Sequence, residues 1–157
     1  MMNVFFKDEE ITENDLYFMC YMIERIARTL HTRNRNVVNA ISYDELVKKI
    51  SLASVLHCEN PLKVVDDWIN EYDLKKGKFN ILDVNKELVD KVPSETQMGK
   101  VYKRLILNTL EPNEDYIQGL IRVYNHKICD IIDDYNSSAY YEPLPTIIRS
   151  YYNSSFN

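Results

Sequence analysis

The chain has 157 residues, 45% of them hydrophobic and 27% charged, which suits one ordinary helical domain with a real core and excludes a disordered or fibrous protein. Only 3 Gly and 5 Pro are present, too few for the many tight turns of an all-β sandwich. Nineteen Lys and Arg against 24 Asp and Glu leave a net charge of −5, the wrong sign for a protein that lives on nucleic acid or anionic lipid.

In chain order, the first strong signal is a helix over 14–30, with Thr12 as N-cap, Glu13 and Asp15 in the first turn, and a stripe of Leu16, Met19, Cys20, Ile23, Ile26, Ala27 and Leu30. Phe18, Tyr21 and Met22 fall on its far side beside Arg25, so this helix is apolar on two faces. A polar, basic connector is expected over 31–36. Ser42 and Glu45 have capping-box spacing ahead of a helix reaching about His57, with His57 on its apolar face. Asn60 and Pro61 open the next helix, whose stripe is Leu62, Val65, Ile69 and Tyr72. A turn at 75–78 marks a weak sub-boundary near Gly77 in an otherwise single domain. Beyond it, a short helix is expected over 84–91 and an amphipathic one over 95–108. The longest helix is expected over 114–135, where Ile117, Leu120, Ile121, Tyr124, Ile128, Ile131, Ile132 and Tyr135 share one face. The tail, 136–157, holds Tyr140, Tyr141, Tyr151 and Tyr152, and its aromatic surface predicts a short docked helix over 146–152. The fold class is therefore all-α, an irregular bundle of about six helices with a tyrosine-rich C-terminal tail.

No apolar stretch reaches the roughly 18 to 20 residues of a membrane span, and Phe5 and Phe6 precede an acidic run instead of forming a signal segment. Three cysteines, Cys20, Cys58 and Cys129, are odd in number and far apart, so reduced thiols and a cytoplasmic location are expected.

Isolated Gly77, Gly99 and Gly119 make no phosphate-binding loop, and no Ser or Cys sits in a nucleophile motif. His126, Asp130 and Asp133 share one side of the long helix at a spacing suited to a divalent ion, which keeps a small metal-dependent enzyme as an alternative. Four ligands in closed pairs are not present, so no metal site and no cofactor are assigned. Arg25, Arg28, Arg33 and Arg35 form a basic stretch without an intervening acid, a second alternative as a nucleic-acid surface. The favoured surface combines Phe18, Tyr21, Met22 and Arg25, residue types enriched at protein interfaces. Tyr140, Tyr141, Tyr151 and Tyr152 are the secondary interface candidates, as an intramolecular lid or a dimer arm.

The runs YFMCYMIERIA, VVNAISYDELVKKI and ASVLHCENPLKVVDDWINEY, within 17–72, resemble a family of short uncharacterised helical bacterial proteins. The matching residues are Phe18, Ile23, Glu24, Ala27, Leu56, His57, Val65 and Asp67. Genes of that family often stand beside ADP-ribosyltransferase-like toxins, so the resemblance implies an antitoxin-like or accessory module whose partner is a transferase-like toxin. It assigns no catalytic residue and covers about a third of the chain, leaving everything after Tyr72 outside it. The expected function is a protein-protein interaction module, with a homodimer as a further option.

Overall fold

The computed structural model describes residues 1–156, and Asn157, the last residue of the tail, lies outside them. Among the described residues there are nine α-helices, two short 3-10 turns and no strand. The first helix, α1 (Glu13–Leu30), starts at a reciprocal cap: Thr12 Oγ1 accepts from Asp15 N while Asp15 Oδ2 accepts from Thr12 N. It ends at His31, which takes the left-handed conformation usually given to glycine and returns its N–H to Ala27 O. Helices α2 (Asn34–Ala40), α3 (Tyr43–Ser51), α4 (Ala53–Leu56), α5 (Pro61–Glu71) and α6 (Glu95–Thr109) follow. Then come α7 (Tyr116–Tyr124), α8 (Ile128–Ile132), the 3-10 turns Tyr135–Ser137 and Ala139–Tyr141, and α9 (Leu144–Asn153).

Helix α1 is the centre of the structure. It packs along α6 and also touches α2, α3, α4 and α5, so both of its apolar faces are covered. Leu16, Met19, Ile23 and Ile26 are buried on one side, and Phe18 and Met22 are buried on the other. At full burial each such side chain contributes about 1.5 to 3 kcal/mol, so the second face is core and not a free surface. The close approach of α6 depends on Gly99, because a Cβ there would lie 3.1 Å from Tyr17 Cε1 and 3.2 Å from the Tyr21 backbone. Buried side chains form one cluster running from Ile11 to Tyr151.

Four expectations about elements are corrected. The 31–36 connector is not all coil: Asn34 opens α2, which forms without any side-chain cap. The helix ahead of His57 is interrupted at Leu52 into α3 and α4, and His57 is exposed, its ring tilted against Phe18 at 5.4 Å between centroids. Residues 84–91 form turns and no helix, because Asn85 Oδ1 takes the Glu87 N–H and Asn85 N donates to Asn136 Oδ1. The long helix is broken between α7 and α8, where His126 Nδ1 accepts from Ile128 N and Asn125 Nδ2 folds back onto Ile121 O. Side-chain acceptors capture the amides that would have continued the helix.

Candidate functional site

The sequence-derived surface on α1 is only partly a surface. Phe18 is 3% exposed and Met22 is fully buried, so neither can touch a partner. Tyr21 and Arg25 are half-buried and engage each other: Arg25 Nη1 donates to Tyr21 Oη at 3.0 Å, with the guanidinium 5.5 Å from the ring centroid. The tail is docked on the body by α9. Tyr151 is buried, its hydroxyl meeting Arg122 at 2.5 Å and its ring tilted against His126 at 4.2 Å between centroids. Tyr140 is half-buried with its ring edge-on to Tyr135, leaving Tyr141 and Tyr152 outward.

The two alternative chemistries lose their side chains to internal partners. Arg28 pairs with Glu24 at 2.8 Å and donates to Pro93 O, and Arg33 and Arg35 both reach Asp130, at 3.6 and 2.6 Å. Of the basic stretch, Arg25 alone is without a carboxylate partner among the described residues. Of the divalent-ion candidates, His126 caps Ile128, Asp130 holds the two arginines and Asp133 is buried elsewhere. Among the described residues no three His, Cys, Asp or Glu side chains converge as metal ligands.

Asp133 belongs to a buried polar lock. It accepts from Tyr102 Oη at 2.5 Å and from Asn34 Nδ2 at 3.2 Å, while the same Nδ2 lies 3.1 Å from Glu24 Oε1. Tyr135 Oη and Arg28 Nε both donate to Glu24 Oε2. Two carboxylates thus share one amide, and Glu24 alone pairs with a cation. Burial first, and the Glu24 charge second, push the Asp133 carboxyl up to about 8. Burial also pushes the Cys20 thiol up to about 12 and that of Cys129 well above its usual range, the opposite of what a nucleophile needs. This network ties α1, α2, α6 and the 133–135 segment together.

The feature that stands out at the surface is the loop over residues 1–11. Asn3, only 7% exposed, donates from Nδ2 to Ser51 O at 2.7 Å, and its Oδ1 accepts from Phe5 N at 2.9 Å and Phe6 N at 2.8 Å. Val4 N donates to Ser51 Oγ, a bridge joins Met2 to Glu10, and Ile11 N returns to Met1 O. One buried amide therefore fixes the tip of the loop on the end of α3. The tip shows water what a soluble surface normally hides: Met2, Val4, Phe5 and Phe6 are four of the eleven large apolar side chains left exposed among the described residues, at 76%, 51%, 48% and 38%. Scattered singly such groups mean little, whereas here four of them are gathered on one ordered loop. Asp8, Glu9 and Glu10 line a shallow cleft with Met1, Met2 and Lys7, Glu13 and Asp15 follow in the first turn of α1, and none of these five carboxylates has an ion pair among the described residues. Phe5 and Phe6 were visible in the sequence, but their fixed display was not, because it depends on a contact 48 residues away.

No described helix is long and apolar enough to cross a membrane. A scan against protein-family models and searches of curated proteins and of solved structures find nothing that matches this chain.

Proposed function

We propose that this protein is a protein-protein interaction module and that its contact surface is the pinned loop over residues 1–11. The observation that carries the reading is the use of Asn3 and Ser51, two of the few buried polar residues, to hold an exposed Val4, Phe5 and Phe6 tip in one shape. A fixed apolar tip loses little conformational freedom on binding, which is how a small surface gains affinity. Aromatic side chains at its centre and charges at its edge follow the usual layout of an interface. An antitoxin or accessory role beside a transferase-like toxin is the form this module takes if the family resemblance holds. Three free thiols suit a reducing cytoplasm.

The test is site-specific photo-crosslinking in the source cell, with a benzophenone amino acid placed at Phe5 and, as control, at Tyr152, which is more exposed than Phe5. The expected result is a discrete adduct from position 5 only, suppressed by excess unlabelled wild type and not by excess Phe5→Ser/Phe6→Ser protein. Equal labelling from both positions, or none from position 5, removes the loop as the contact surface.

A further inference from the structure

We infer that the loop's partner is a second copy of this chain, whose cavity at the far end of α1 receives the Phe5 and Phe6 tip, so that copies join head to tail. The inference rests on the reading of the loop as a contact surface.

The receiving cavity has a volume of about 300 Å³, with Leu30, Val37, Ala40 and Leu74 in its lining beside the polar Thr32 and Asn36, and Asp73, Lys75 and Lys76 at its rim. A cavity of about 150 Å³ holds a benzene molecule, so this one admits a phenyl ring with room for part of a second. Its shape depends on Gly77, whose N–H reaches Leu30 O at 2.7 Å while Phe79 N reaches His31 O at 2.9 Å. A Cβ on Gly77 would lie 2.7 Å from His31 O, so glycine is what lets the lysine turn sit down on the end of α1. Lys75 is engaged by the exposed Asp73, and Lys76 has no carboxylate partner among the described residues. The cavity thus has apolar walls and a rim of two lysines and one aspartate, net positive, where the loop has an apolar tip followed by one lysine and the carboxylates of 8–15, net negative.

Position then decides between self-filling and filling by a neighbour. The loop enters α1 at its first turn and the cavity is built on its last, 17 residues apart from Glu13 to Leu30, which at about 1.5 Å per residue is about 25 Å. A loop held on Ser51 does not span that distance, so only another copy can supply the tip. Loop against loop would set two net negative segments together, each with five carboxylates and one lysine over 7–15, which disfavours a symmetric pair. Tip into cavity is a heterologous contact, and each added copy carries a fresh tip and a fresh cavity, giving open chains or closed rings. A contact this small is at the weak end of the range, so assembly depends on concentration.

The experiment is sedimentation velocity on the full chain from about 5 to about 500 μM, a range that brackets a weak contact. Two variants at exposed positions accompany it, Phe5→Ser/Phe6→Ser at the tip and Lys75→Glu/Lys76→Glu at the rim, each first shown to melt like wild type. Wild type is expected to grow to dimers and beyond as concentration rises, and each variant alone to stay monomeric. An equimolar mixture of the two keeps one intact tip and one intact cavity, so it is expected to give a dimer that grows no further. Wild type monomeric throughout, either variant assembling like wild type, or a mixture that stays monomeric or grows past the dimer overturns the inference. Monomeric wild type together with a position-5 crosslink to a different protein overturns the self-association and leaves the module reading standing; loss of both removes the two together.

Discussion

Replacing Asp133 by Asn isolates the proton held in the buried lock. The carboxyl is 7% exposed and meets the Tyr102 hydroxyl and the Asn34 amide, while the charge that acts on it most strongly is Glu24, itself 1% exposed. Its folded pKa of about 8 stands against an unfolded value of about 3.9. The folded state therefore binds one more proton than the unfolded state between these values, so this group's stabilisation is complete below about pH 4 and is lost as pH rises through about 8. The slope in that window is about 1.4 kcal/mol per pH unit. An Asn side chain keeps the shape and has nothing to titrate. Relative to wild type, Asp133→Asn should thus gain roughly 3 to 4 kcal/mol in unfolding free energy between about pH 5 and pH 8. Urea melts followed by far-ultraviolet circular dichroism at about pH 5, 6, 7 and 8 measure this difference directly. A difference that stays constant with pH refutes the reasoning, since it means that Asp133 is ionised in the fold throughout.

Three further outcomes follow from the packing. Phe18→Ala should cost about 3 to 5 kcal/mol in a denaturant melt, because the ring is buried edge-on to Trp68; a loss below about 1 kcal/mol would return Phe18 to the surface. Gly99→Ala should lower stability by about 1 to 3 kcal/mol, although Ala is the better helix former by about 1 kcal/mol, since the Tyr21 backbone of α1 cannot move aside; a raised melting temperature contradicts the close contact. Asn3→Ala should free the tip while leaving the global melt almost unchanged, read as faster amide exchange and proteolysis within residues 4–10; unchanged protection there means that Asn3 does not pin the loop.

How much of this was legible in the sequence depended on whether the deciding contact was local. Thr12, Ser42, Asn60 and Ser94 each cap a helix through neighbours two or three residues away, and the spacing that revealed α1, α3, α5 and α6 is the spacing that forms them. Helix α2 has no such cap, and it forms where Val37 and Val38 are buried. The break between α7 and α8 is invisible to periodicity because Ile128, Ile132 and Tyr135 remain buried after it, so the stripe continues while the backbone does not. Over 84–91 the phase itself misled: a helix there would put Leu88 on one apolar face with Val84, yet Leu88 is 62% exposed and Val89 is the buried residue. At the candidate surface, Phe18 and Met22 have the same chemistry in a core as at an interface, and only the positions of α3, α4 and α5 decide between them. The 1–11 loop has no period at all; its geometry comes from Ser51.

The central position of α1 also fixes a schedule for biosynthesis. Helix α6 begins 65 residues after α1 ends and finishes 14 residues later, so α1 emerges from the ribosome well before its principal neighbour exists. At about 5 to 20 residues per second, covering its α6 side waits roughly 3 to 16 seconds. During that interval α3, α4 and α5 can shield the Phe18 side, while Cys20 and its neighbours face a missing wall. A substitution that delays or weakens α6 therefore lengthens the exposure of an apolar helix already made, and its first visible effect should be lower yield of soluble protein.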